Sequence, residues 1–251
     1  MLRLIISFLT LITVLSCNKF DKVMIIGHRG AMGHIAENTI PSINKAMELG
    51  VDGIEIDVFK CKSGELVVFH DERLERLTNS SGFIESLELD SIKNIIVLDK
   101  YRIPTLEEVL QLIDGQVKLN IELKGYGTAS PTNYLINQYN NKGGWTEDKF
   151  IISSFKWDEL EKIRELNMTI PIAVLVNSNV NPIDALPFAK KIKAIAINPY
   201  FKDLNQKNIE KIQSNGLKVF PYTINELDDI ERMIKLGVDA IITDYPERVN
   251  K

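Results

Sequence analysis

The chain has 251 residues, 45% of them hydrophobic and 25% charged, a balance that fits one ordinary globular domain with a substantial core and does not require two. Its 30 basic and 34 acidic residues give a net charge of −4, which argues against a phosphate-rich polyanion such as nucleic acid as a partner. Two cysteines, Cys17 and Cys61, cannot supply a disulfide framework, so stability must come from core burial, which a domain of this size can provide.

In chain order, Met1-Leu2-Arg3 is followed by an apolar stretch from Leu4 to Ser16, broken only by Ser7, Thr10 and Thr13, and then by Cys17 and the polar Asn18 and Lys19. This reads as a signal peptide. It is too short for a membrane span, which needs roughly 20 apolar residues. Val14-Leu15-Ser16-Cys17 is similar to a bacterial lipobox, in which the cysteine is lipidated and becomes the new first residue. The expectation is a signal peptide over residues 1–16, a short tether over 17–22 and one folded domain over 23–251, exported to the bacterial cell envelope and held at the membrane by a lipid anchor on Cys17. Losing residues 1–16 removes only Arg3, leaving 29 basic against 34 acidic residues, a net −5.

Beyond the tether, short β-branched runs alternate with amphipathic segments of helical period: Val23–Gly27, Gly53–Val58, Leu66–Phe69, Lys118–Lys124, Phe150–Ser153, Ile172–Val176, Ala194–Asn198, Lys218–Tyr222 and Ala240–Thr243. Thr39–Leu49 carries Ile40, Ile43, Ala46 and Met47 at helical spacing and stops at Gly50, and Thr105-Leu106-Glu107-Glu108 spells a capping box after Pro104. The alternation predicts an α/β fold, a (β/α)8 TIM-type barrel, with a doubly wound open sheet as the alternative. Nine strand candidates are one too many for that barrel. The link from Val58 to Leu66 is too short for a parallel crossover, which needs about a dozen residues, and it holds the turn signal Lys62-Ser63-Gly64. A β-hairpin at the barrel mouth is therefore expected there, with Asp57 and His70 nearly opposite each other. Thr78–Tyr101, polar with a helix-like stretch near Leu87–Ile96, reads as a small insertion over the mouth that shapes the pocket or covers an edge.

In Gly53-Ile54-Glu55-Ile56-Asp57-Val58 the carboxylates share one face of a strand and the apolar residues the other, and the same parity recurs in Asn120-Ile121-Glu122-Leu123-Lys124. In a barrel the apolar face meets the helices, so Glu55, Asp57, Glu122 and Lys124 point inward. Three buried carboxylates against one lysine call for a cation, because an uncompensated buried charge costs several kcal/mol (~). Oxygen ligands favour Mg²⁺ or Ca²⁺ over Zn²⁺; a buried ion-pair network serving only the fold is the alternative. His28 and His70 each follow a strand end, the active-site face of a barrel, and His is suited to take and give protons near neutral pH. His34, in a Gly-rich loop, is expected to be non-catalytic. Arg29 can grip a phosphate with two prongs, or else pair with Glu37 or Asp71.

His28-Arg29-Gly30, Glu37-Asn38-Thr39, Glu55-Ile56-Asp57, His70-Asp71, Glu122-Leu123-Lys124 and Thr243-Asp244-Tyr245-Pro246 fall in the order and spacing of the glycerophosphodiester phosphodiesterase family, which the chain resembles from Ile26 to Glu247. The resemblance implies that Glu55, Asp57 and Glu122 bind one divalent cation, that His28 and His70 are the acid and base, and that Arg29 and Lys124 hold the phosphate. It places Glu37 in the site, beside the metal or on the glycerol hydroxyls, and Tyr222 in the pocket wall, where family members more often carry Trp. Ala36 stands where the family usually has Pro. The implied reaction is hydrolysis of a small glycerophosphodiester to sn-glycerol 3-phosphate and an alcohol. Two rivals are a lysophospholipase D-type lipid phosphodiesterase and an envelope protein that binds glycerophosphates without cleaving them.

Overall fold

The structure, a computed structural model, describes residues 22–249. The expected signal peptide, Cys17 and nearly all of the tether lie outside the described residues. The first half of the domain runs β1 (Met24–Gly27), α1 (Ile40–Glu48), β2 (Gly53–Lys60), β3 (Leu66–Val68), α2 (Leu89–Asn94), β4 (Ile96–Val97), β5 (Tyr101–Arg102), α3 (Leu106–Ile113) and β6 (Lys118–Leu123). The second half is strictly alternating: α4 (Ala129–Tyr139), β7 (Phe150–Ser154), α5 (Trp157–Leu166), β8 (Ile172–Val176), α6 (Leu186–Lys191), β9 (Ala196–Pro199), α7 (Gln206–Gln213), β10 (Lys218–Val219), α8 (Leu227–Lys235) and β11 (Ala240–Thr243).

Eight strands pair in parallel in the order β10-β9-β8-β7-β6-β2-β1-β11, a (β/α)8 barrel. Its seam is bridged by backbone hydrogen bonds from Asp239 N to Val219 O (3.0 Å), Ile242 N to Pro221 O (3.1 Å) and Ile224 N to Ile242 O (2.9 Å). The strand expected over Lys218–Tyr222 is a regular ladder only to Val219, since Pro221 has a carbonyl to offer but no N–H. Outward residues such as Ile54, Ile56, Ile121 and Ile152 pack with Ile43, Leu110, Ile136 and Leu160 of the helices. Inward, Ile26, Ile151, Ala173, Ala196, Phe220, Ala240 and Ile242 fill the barrel, so its interior is a packed plug below the mouth. The helix starts follow the sequence: Thr39 Oγ1 accepts from Ser42 N, and Thr105 and Glu108 close the capping box in both directions.

The expected hairpin forms, with β2 running on past its last β6 partner to pair antiparallel with β3. Its register sets Val58 opposite Val68, and Phe69 N donates to Asp57 O at 3.0 Å, so His70 lies one residue beyond the position facing Asp57. The shift comes from the turn. Cys61 N bonds Glu65 O, leaving a three-residue loop whose last member, Gly64, has φ +106°. Of the two roles expected for the excursion after β3, shaping the pocket is not the one it takes: no residue of Thr78–Tyr101 lines the mouth cavities. Its Ile84, Ile92, Ile95 and Val97 build a second core with Phe59, Cys61, Val67 and Phe69, on the hairpin face that continues the inward, carboxylate-bearing side of β2 beyond Asp57, while Val58, Leu66 and Val68 on the opposite face join the main core. The segment therefore covers the hairpin that delivers His70.

Candidate active site

Glu55 and Asp57 on β2 and Glu122 on β6 meet inside the barrel mouth, all buried, each offering an oxygen within 4.8 Å of the others. The register explains the meeting: Asp57 pairs with Glu122 across adjacent parallel strands, and Glu55 lies two residues earlier on the same face. Glu55 Oε1 is buried with no hydrogen-bond partner among the described residues. Burial, and then the charges of Asp57 and Glu122, push the Glu55 carboxyl well above the usual carboxylate range. Burial and Asp57 raise Glu122 to about 7, against the pull of Lys124. A partnerless buried oxygen and two carboxyls strained toward protonation fit a hard divalent cation on these three residues.

Two histidine–aspartate pairs flank the cluster. His28 Nδ1 lies 2.6 Å from Asp244 Oδ1, and its Nε2 points to Glu55 Oε2 at 4.0 Å. Asp244 is fixed by Asn225, whose Nδ2 donates to it at 2.7 Å, and these bonds hold its carboxyl below the usual range in spite of burial. His70 Nδ1 lies 2.6 Å from Asp71 Oδ1, while Lys124 Nζ donates to its Nε2 at 3.2 Å. An ammonium only donates, so His70 Nε2 is the acceptor and the ring proton sits on Nδ1. Burial, with Arg29 and Lys124 nearby, lowers the His70 pKa and favours this neutral form.

Lys124 also donates to Glu122 Oε1 at 2.9 Å. Arg29, at φ +51°, gives its backbone N–H to Glu55 Oε2 (3.0 Å) and its Nη1 to Glu37 Oε1 (2.7 Å), with Nε 3.2 Å from Asp57 Oδ2. The pairing of Arg29 with Glu37 that the sequence left open is therefore present, and Asp71 is taken by His70 and Arg76 instead. Glu37 stands apart from the cation cluster: both its oxygens are occupied by Arg29 and Arg76. Asn38, at φ +58°, exchanges two hydrogen bonds with Asp57 and orients that carboxylate. Tyr222 lines the cavity, its hydroxyl bound to Val176 O at 2.7 Å. His34 is apart, exposed, with its ring edge-on to Tyr245 and bonded to Glu247.

A cavity of about 180 Å³ lies between the histidines, floored by Asn120 and Ser153 and walled by Phe155, Leu175 and Tyr222. A larger cleft of about 840 Å³ opens beside it on the His70 side, bounded by Phe59, Glu72, Arg73, Arg76, Phe155 and Lys156. Asp244, Asn225, Asn38 and Arg76 were not assigned roles from sequence. Asp244 could have been found, for it directly follows the last barrel strand.

Two histidine–carboxylate pairs face a cluster of three buried carboxylates on the C-terminal face of a (β/α)8 barrel, the active-site face of barrel enzymes. Residues 28–248 match the Glycerophosphoryl diester phosphodiesterase family, and the chain belongs to it. A glycerophosphodiester phosphodiesterase of Caldanaerobacter subterraneus subsp. tengcongensis is 37% identical over 239 residues, covering 90% of this chain and 96% of that protein. One from Bacillus subtilis is 31% identical over 92% of this chain and 86% of its own length. Among solved structures, a phosphodiesterase from Oleispira antarctica in complex with the product sn-glycerol-3-phosphate superposes with a TM-score of 0.82 at 26% identity, over 90% of this chain and 95% of the other.

Proposed function

We propose that the protein hydrolyses glycerophosphodiesters to sn-glycerol 3-phosphate and an alcohol. The observation that carries this reading is the pair of histidines, each oriented by an aspartate through Nδ1, presenting Nε2 toward one small cavity beside the carboxylate cluster. The product bound to the Oleispira antarctica relative supports glycerol 3-phosphate as the half that fills that cavity. Glu55, Asp57 and Glu122 would hold one Mg²⁺ or Ca²⁺, which neutralises charge on phosphoryl oxygens and lowers the pKa of a bound hydroxyl. Arg29 and Lys124, both cationic at the cavity wall, bind the remaining phosphoryl oxygens. One histidine takes the proton of the attacking hydroxyl and the other gives one to the departing alcohol, whether the attacker is the glycerol 2-hydroxyl or water. Asp244 and Asp71 keep each ring in the tautomer whose Nε2 faces the reaction and stabilise the cation when the ring gains a proton.

The alcohol portion extends into the larger cleft, where Phe59, Leu123 and Phe155 stand beside Glu72, Arg73, Glu75, Arg76 and Lys156, a mixed lining that suits an amphipathic or a polar headgroup. The signal over residues 1–16 and lipidation of Cys17 belong to the same reading, supported by the sequence: an enzyme tethered at the bacterial envelope. The test is release of glycerol 3-phosphate from glycerophosphocholine and glycerophosphoethanolamine by the full chain, with Mg²⁺, with Ca²⁺ and with chelator. Cation-dependent release is expected. Cation-dependent binding without turnover would turn the reading into a binding protein, and cleavage of lysophospholipids alone would turn it into a lipid phosphodiesterase.

A further inference from the structure

Arg76 lies in the loop beyond β3, six residues after His70, and takes two carboxylates at once. Its Nη1 and Nη2 donate to the two oxygens of Glu37 at 2.9 and 2.8 Å. Its Nε and Nη2 donate to the two oxygens of Asp71 at 2.5 and 3.0 Å. Each of these carboxylates serves a second partner: Glu37 Oε1 accepts from Arg29 Nη1 at 2.7 Å, and Asp71 Oδ1 pairs with His70 Nδ1 at 2.6 Å. A single planar guanidinium thus joins the loop after β1 to the loop after β3. On one side it fixes the residue that grips phosphate, and on the other the residue that moves a proton.

We infer that Arg76 is a positioning residue that sets the placement of His70 relative to Arg29. This rests on the functional reading above. Among the described residues Arg76 has no hydrogen bond or ion pair with His70, Glu55, Asp57 or Glu122, and it acts through Asp71 and Glu37. Its side chain is 47% exposed and the buried Glu37 keeps Arg29 as a second partner at 2.7 Å, so removing Arg76 leaves no buried carboxylate without a cation and should not unfold the chain. Geometry is a different matter, because misplacing a reacting group by about 1 Å can cost about 10²-fold in rate. A lysine cannot replace it: an ammonium is a point donor and does not span two carboxylates in one plane.

The experiment compares Arg76→Ala and Arg76→Lys with wild type in the full chain, measuring kcat and KM on glycerophosphocholine, melting temperature, and kcat of the alanine variant with added sub-denaturing guanidinium against sodium at equal ionic strength. Expected are a kcat fall of about 10²-fold in both variants, a smaller change in KM, near-native melting, and partial recovery with guanidinium alone. Full activity in either folded variant, or loss only in proportion to unfolding, overturns the inference. A loss confined to KM also overturns it, making Arg76 a substrate contact. Inactivity of wild type on every diester would instead strike the functional reading. The crystal structure of Arg76→Ala then decides the positioning: His70 and Arg29 shifted supports it, and both in place refutes it.

Discussion

Asp244 is bonded to His28 across 216 positions of sequence, so no local spacing could reveal the pair, although the strand-end position of Asp244 marked it as facing the mouth. Asp244→Asn should keep the fold and lower kcat by at least about 10²-fold, since the amide no longer holds the ring in the productive tautomer. His28→Ala and His70→Ala should each lose about 10²- to 10⁴-fold; unchanged turnover in either would remove that histidine from the reaction. Glu37 carries a prediction about acid. Burial opposes its charge, yet hydrogen bonds and charge from Arg76 and Arg29 win and hold its carboxyl at about 2, below the ordinary 4.5. Because the folded value is depressed, this stabilisation is complete above pH 4.5 and is lost as pH falls toward about 2. Urea unfolding at descending pH should show a shallower loss for Glu37→Gln than for wild type in that window. What the sequence did yield at this scale came from period two: parity alone brought Glu55, Asp57 and Glu122 to one face, and the register confirms it.

The hairpin of β2 and β3 was legible because the link was too short to cross over and held a glycine turn; its one-residue shift was not, since loop closure depends on φ at Gly64. Which of its two expected roles the excursion takes was not legible, for a related reason. Its apolar residues mark a buried face but do not say which neighbour buries it, and the partner proved to be the face of the hairpin that continues the inward side of β2. That core is separate from the main one, so Ile92→Ala, which removes a fully buried side chain, should cost about 2–5 kcal/mol locally. Hydrogen exchange should quicken over residues 84–103 while the amides of β6 and β7 stay protected. Equal quickening in those strands would show that the excursion and the barrel unfold as one unit.

Across the whole molecule, the unevenness of the barrel interior, apolar below and acidic at the mouth, couples cation binding to protons. With Glu55 and Glu122 raised toward protonation, uptake of a divalent cation by this cluster near neutral pH should release protons. Calorimetric titration in two buffers of different ionisation enthalpy should give different heats, and Glu122→Gln should shrink the difference. A cation at one hundred times its Kd should add about 2.7 kcal/mol to stability, read as a rise in melting temperature that chelator reverses. The seam carries a consequence of another kind. β1 lies beside β11, and the loops leaving these two strands bring His28 to Asp244. The histidine stands 216 positions ahead of its aspartate, and a chain that lacks β11 keeps all three clustered carboxylates but leaves the His28 ring untethered. A chain cut short before β11 should therefore show no turnover, which makes activity itself a report of barrel closure.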